Sequence, residues 1–368
     1  MYNNTPPTPQ QQQSFKNIDK IITICKMQGA TDIHLAVGQP PICRINGDLV
    51  RLNKIGVLND NAIKTLIDEM LPEEKKQEFA DVRQSDFAYQ TADGTRLRVN
   101  AYMQRKQHGV ALRILSDNHA SLSELGLPSI LNSICELRSG MVLVTGPTGS
   151  GKSTTLAAMI DYINERRACH ILTLEDPIEY THCSKKALVN QREVGDDTLS
   201  YADSLRAALR EDPDVILVGE MRDLESISIA TTAAETGHLV FSTLHTLGAA
   251  KTIDRLIDVF PPHQQQQVRV QISSALKAVI SQRLLPKADG SGRCVAYEIM
   301  LVTPAIASNI RDGKTSAINN YIQTSTASGM ILFENSLANL VKAGLLSKEV
   351  AFENCNDTDT LAQYLKQA

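Results

Sequence analysis

The run Gly146-Pro147-Thr148-Gly149-Ser150-Gly151-Lys152-Ser153 is where residue type and spacing point most directly to chemistry. It fits the pattern GxxxxGK[ST]. Glycines at this spacing let backbone N–H groups curl around phosphate oxygens. A helix starting directly behind them adds the positive end of its dipole. Lys152 has the reach for a β- or γ-phosphate, and the Ser153 hydroxyl is a ligand for Mg²⁺. With Thr154 next in line, the segment suits a nucleoside triphosphate.

Such a loop needs a carboxylate on a neighbouring strand end. Asp214–Glu220 (DVILVGE) reads as a short apolar strand closed by Gly219-Glu220, which puts Glu220 beside the Mg²⁺ or the attacking water. Cys169–Leu174 reads as another strand, ending in Glu175-Asp176-Pro177-Ile178-Glu179, with His182 close behind. Leu239–Leu244 ends in His245-Thr246 and is opened by Gly237-His238. A carboxylate on this rim can orient water as a general base, and a histidine can read the γ-phosphate by hydrogen bond. A single strand-end histidine is by itself an ordinary surface or core residue. The phosphate loop is what gives these residues a joint meaning. No NKxD element for guanine is present, since Asn53-Lys54 runs on into Ile55-Gly56, so ATP is the expected nucleotide.

To converge, these groups must stand at the ends of parallel strands. Strand and helix alternate through this region: Met141–Thr145, a helix over Ser153–Asn164, Cys169–Leu174, a helix over 198–210, Val215–Val218, a helix over 223–235 and Leu239–Leu244. That rhythm predicts an α/β sheet with helices on both faces, and a mostly helical stretch over 264–368 follows it. Residues 15–115 have a different rhythm. Phe15, Ile18, Ile21, Ile22 and Cys25 predict a helix stopped by Gly29. Strands are predicted over 32–37, 41–50, 85–90, 96–102 and 109–115, with a helix over 59–80. Asn46-Gly47 and Asp93-Gly94 are hairpin dipeptides. This is an α+β domain. Residues 1–14, with their Pro and Gln run, predict a disordered tail, and 116–127 a linker to an ATPase domain over 128–368.

Composition narrows the function classes. Of the 368 residues, 42% are hydrophobic, too many for a disordered chain. No run approaches the ~18 apolar residues of a membrane-spanning helix, and the N-terminus lacks the basic and apolar regions of a signal peptide. The seven cysteines contain no CxxC pair, which argues against a disulfide framework and a thiolate zinc site. Net charge −4 and the absence of Trp argue against a RecA-type motor working on nucleic acid, the alternative of a different class.

The chain resembles the PilT family of type IV pilus retraction ATPases, within the type II/IV secretion ATPase superfamily, over about residues 15–320. The motifs that carry the likeness are GPTGSGKS at 146–153, LEDPIEYTH at 174–182, DPDVILVGEMRD at 212–223, AETGHLVFSTLHT at 234–246, IDRLIDVFPPHQQQQVR at 253–269 and SQRLLP at 281–286. DIHLAVGQPPICRINGDL is similar to the family's PAS-like domain. The resemblance implies a RecA-like P-loop core behind a smaller PAS-like α+β domain. It implies that Lys152 and Ser153 hold phosphate and Mg²⁺, that Glu220 serves hydrolysis and that Glu179 is the Asp-box carboxylate beside Glu175 and Asp176. His238 and His245 become the pair coupling nucleotide state to conformation. Arginines of the N-terminal domain, Arg98 and Arg113 among Arg96, Arg98 and Arg113, reach the nucleotide. It further implies a homo-hexamer on the cytoplasmic face of the inner membrane, acting through a PilC-like platform protein. The family's AIRNLIRE segment stands here as Ala305–Asp312, with Ala, Ser and Asn in place of Arg, Asn and Leu. An accessory PilT paralogue and a type IV secretion or conjugation ATPase are therefore the alternatives within the superfamily.

Overall fold

The computed structural model describes residues 17–45, 47–115, 120–221 and 223–366. The expected tail 1–14, Asn46 of the hairpin pair and the first four residues of the expected linker lie outside them. The chain forms two compact units that divide after residue 116.

In the first unit, α1 (Asn17–Met27) buries Ile18, Ile21, Ile22 and Cys25, one helical stripe. Strands β1 (Ala30–Ala36), β2 (Ile42–Ile45) and β3 (Asp48–Arg51) come next. Helices α2 (Asp60–Met70) and α3 (Lys76–Val82) lead to β4 (Gln84–Gln90), β5 (Arg96–Gln104) and β6 (Gln107–Ile114). The six strands form one antiparallel sheet in the order β3-β2-β1-β6-β5-β4. The single helix expected over 59–80 is two. Leu71 leaves the helical region at ψ 120° because Pro72 follows it.

The second unit begins earlier than the sequence suggests. Leu122 and Leu127, placed in the linker by their polar neighbours, are buried in its core beside α4 (Ile130–Cys135). The helices α5 (Lys152–Arg166), α6 (Tyr201–Ala208), α7 (Leu224–Glu235), α8 (Ala249–Asp258) and α9 (Pro262–Ala275) alternate with strands β7 (Gly140–Thr145), β8 (His170–Glu175), β9 (Leu188–Glu193), β10 (Val215–Val218) and β11 (Leu239–Leu244). Every residue of β7, β10 and β11 is buried, as expected for parallel strands covered on both faces.

The expectation that residues from 264 onward are mostly helical fails in one place. A long hairpin of β12 (Leu276–Pro286) and β13 (Arg293–Leu301) completes the sheet, whose order is β13-β12-β7-β11-β10-β8-β9. Only β13 runs antiparallel to its neighbour, and β12 lies parallel beside β7. The strand was hidden because β12 follows α9 with no turn residue between them. Past the hairpin come α10 (Pro304–Arg311), α11 (Ile318–Thr324), α12 (Phe333–Lys342), α13 (Lys348–Asn354) and α14 (Thr358–Lys366). Alternate residues of β7 divide the core: Val142 and Val144 face α4 and α5, while Met141 and Leu143 face the layer of α6 to α10. Helices α12 to α14 close over the hairpin through Phe333, Leu337 and Leu361.

Candidate nucleotide site

The C-terminal ends of β7, β8, β10 and β11 open onto one cleft of about 550 Å³. Its wall carries Thr148, Gly149 and Gly151 from the loop between β7 and α5, and Lys152, Ser153 and Thr154 from the first turn of α5. Opposite stand Glu175, Asp176 and Glu179 after β8, Glu220 after β10 and His245 after β11.

The loop's backbone explains its glycines. Gly149 and Gly151 have φ of +77° and +87°, where a side chain is strained. At Gly146 a Cβ would sit 2.3 Å from the Gln282 carbonyl oxygen. Lys152 Nζ donates to the carbonyls of Gly146 (2.9 Å) and Pro147 (3.1 Å), which holds the loop curled. Burial holds this ammonium below its ordinary pKa, while Glu220 and Glu179 pull the other way. Pro147 and Ser150 belong to the loop but do not line the cleft. Ser150 is buried, and its carbonyl accepts Gln282 Nε2 at 2.8 Å.

Gln282 is a functional residue that the sequence reading missed. It lies on β12, fully buried, and its Oε1 accepts the Thr155 hydroxyl at 3.0 Å. One amide thus joins the loop to the first turn of α5. The signal available in the sequence was a polar run inside SQRLLP, read there as a motif without a role. Arg293, Leu284 and Tyr201 also line the cleft and had no assigned place in it.

The acidic side is equally braced. Thr243 Oγ1 donates to the Gly219 carbonyl (2.6 Å) and Ser242 Oγ to the Val218 carbonyl (2.7 Å), tying the turn before Glu220 to β11. Glu220 Oε1 lies 3.3 Å from His245 Nε2. Glu175 accepts Thr173 Oγ1 (2.6 Å) and Gln191 Nε2 (3.2 Å). Burial pushes its carboxyl up to about 7 against those bonds, with Glu179 and Glu193 adding to the rise. Thr154 Oγ1 and the Tyr180 hydroxyl are 2.8 Å apart.

His238 does not join this group. It stands at the opposite end of β11, where its Nδ1 lies 3.0 Å from the Ala233 carbonyl at the end of α7. Seven residues of extended chain put it ~20 Å from His245. Parallel strands share the end at which they gather side chains, and His238 opens its strand instead of closing it. Arg98 and Arg113 belong to the N-terminal unit. They are directly opposed on β5 and β6, both exposed, and Arg113 Nε donates to Asp32 Oδ1 at 2.9 Å.

The cleft's donors fit a hard cation. Ser153 Oγ and Glu220 offer oxygen only, and among the described residues no three His, Cys, Asp or Glu form a self-sufficient metal site. A cation here would take its remaining ligands from phosphate and water, as Mg²⁺ does. No helix among the described residues is long and apolar enough to cross a membrane.

Residues 10–351 match the family described as Type II/IV secretion system protein. The chain is 48% identical to the type IV pilus retraction ATPase PilT of Pseudomonas aeruginosa over 337 residues, 92% of this chain and 97% of that protein. It is 36% identical to the type IV pilus ATPase PilU of the same organism over 348 residues, 95% of this chain and 91% of that one. A crystal structure of the pilus retraction motor PilT with bound ADP superposes with a TM-score of 0.89, at 46% identity, over 95% of this chain and 99% of that one.

Proposed function

This chain belongs to the Type II/IV secretion system protein family, and within it to the PilT ATPases; on that premise we propose that it is an ATP-hydrolysing motor of type IV pilus retraction. The observation that carries the reading is the joint rim of Lys152, Glu220 and His245 on parallel strand ends, in a chain 48% identical to PilT. Identity to PilT, 48%, exceeds that to PilU, 36%, which favours the retraction reading.

The chemistry follows from the cleft. The loop N–H groups and Lys152 bind the β- and γ-phosphates, and a charged phosphate oxygen outcompetes the two carbonyls that Lys152 otherwise contacts. Mg²⁺, held by Ser153 and Glu220 with phosphate oxygens, would supply charge neutralisation. Glu220 orients a water for in-line attack on the γ-phosphorus, with Glu179 as the second carboxylate on that side. The bond from the γ-phosphorus to the β,γ-bridging oxygen breaks, leaving ADP and phosphate. His245, next to Glu220, loses a hydrogen-bond partner when the γ-phosphate departs. Arg98 and Arg113 would neutralise phosphate charge from the N-terminal unit, which a ring of subunits makes possible. In this reading the chain works as a homo-hexamer at the cytoplasmic face of the inner membrane, through a PilC-like platform protein.

The test is a count of surface pili by electron microscopy in a strain lacking the chain and in one carrying Lys152→Ala. Excess pili with lost surface motility is the expected result. Few pili would mean an assembly role, and an unchanged count a secretion or accessory ATPase.

A further inference from the structure

Glu298, on β13, is a buried acid that the reaction outlined above does not use. Its Oε1 accepts the Ala249 N–H at 2.7 Å, at the first turn of α8. Phe333, at the start of α12, lines the same small cavity as Glu298. The N-terminus of α8, with donors to satisfy, is therefore capped by this carboxylate. The segment that α8 continues is His245-Thr246-Leu247-Gly248, the loop that delivers the histidine to the cleft. That loop has two further anchors. Gly248 N–H donates to Ser281 Oγ at 2.9 Å, and the Thr246 and Thr252 hydroxyls are 2.7 Å apart, with Thr252 donating to the Gly248 carbonyl at 2.8 Å. His245 itself is about half exposed, with Glu220 at 3.3 Å as its contact. Its position is set by the anchors at the base of its loop.

We propose that Glu298 is a positioning residue for His245: by fixing the start of α8 it holds the histidine against Glu220. The inference rests on the reading of His245 as a group that works on bound nucleotide. Glu298 does not line the cleft, and the phosphate loop is braced separately through Gln282. Loss of Glu298 should therefore slow turnover and spare binding.

The experiment is a double-mutant cycle on the full chain, with kcat and KM for ATP and the Kd of a fluorescent ADP analogue as readouts. Glu298→Ala is expected to lower kcat about tenfold while KM and Kd stay within about twofold. Glu298→Gln keeps an oxygen for the Ala249 N–H and should retain at least half of wild-type kcat. In a His245→Ala background, Glu298→Ala should cost no further activity. Full additivity of the two losses, or an unchanged kcat in Glu298→Ala, would overturn the link alone. A wild-type rate in His245→Ala by itself would overturn the reading of the histidine and the link with it. If Glu298→Ala does not fold, Ser281→Ala, which removes only the acceptor for Gly248, goes through the same cycle with the same decisions.

Discussion

Replacing Gln282 by Leu keeps the volume and removes every hydrogen bond the side chain makes. Two buried groups lose their partners: the Ser150 carbonyl, now 2.8 Å from Nε2, and the Thr155 hydroxyl, now 3.0 Å from Oε1. A stranded buried group costs about 1–3 kcal/mol. The Thr155 hydroxyl can turn back to the carbonyl one helical turn earlier, so its share falls at the low end. The sum is roughly 2–4 kcal/mol, a fall of about 5–10 °C in the melting point of the second unit. The phosphate loop also loses its brace, which should weaken ADP binding by about tenfold, ~1.4 kcal/mol. Thermal unfolding followed by circular dichroism, together with titration of a fluorescent ADP analogue, measures both. A melting point within about 1 °C of wild type and unchanged affinity would show that the amide is not what holds the loop.

Lys152→Ala should abolish nucleotide binding, and Glu220→Gln should keep binding while losing turnover; a wild-type rate in the latter would remove Glu220 from the reaction. His238→Ala should leave kcat within about twofold of wild type while His245→Ala lowers it by an order of magnitude, a split that steady-state kinetics reads directly. Glu175→Gln should change the pH dependence of stability. With its folded pKa raised to about 7, the Glu175 carboxyl keeps its proton in the fold while the unfolded chain releases its own near 4.5, so stability falls as pH rises from ~4.5 to ~7 and stays low above that. The variant should therefore melt higher than wild type at pH 8 and equally at pH 4.5; an equal melting point at both would refute the raised pKa. Arg113→Ala, which breaks a pair on an open sheet face, should cost under ~1 kcal/mol in denaturant titration.

The parts of this molecule legible in the sequence are those whose physics is local. β7, β10 and β11 are unbroken apolar runs, and the phosphate loop is specified by glycines whose backbone no other residue adopts easily. Glu220 and His245 follow because they directly succeed such runs. β9 was missed because it is an edge strand, mostly polar and paired with β8 alone among the named strands. β12 was missed because it follows α9 with no turn residue between them, and its pairing with β7 and β13 makes it a strand. Gln282 and Glu298 lie on that hairpin, so their roles stayed hidden with it. His238 stands where the sequence puts it, at the opening of β11 and away from the cleft, and its pairing with His245 came from the resemblance alone.

Ser281 and Gln282 are neighbours on β12 whose side chains leave the sheet on opposite faces, one to the loop before α8 and the other to the loop before α5. The strand thus links the two halves of the cleft. Sliding β12 along its length would carry both loops the same way. Rolling it about its own axis would press on one loop and release the other, so that grip on the phosphates and readiness of the histidine would trade against each other. Whatever leans on the outer side of this hairpin, where α12 to α14 pack, has mechanical access to that trade.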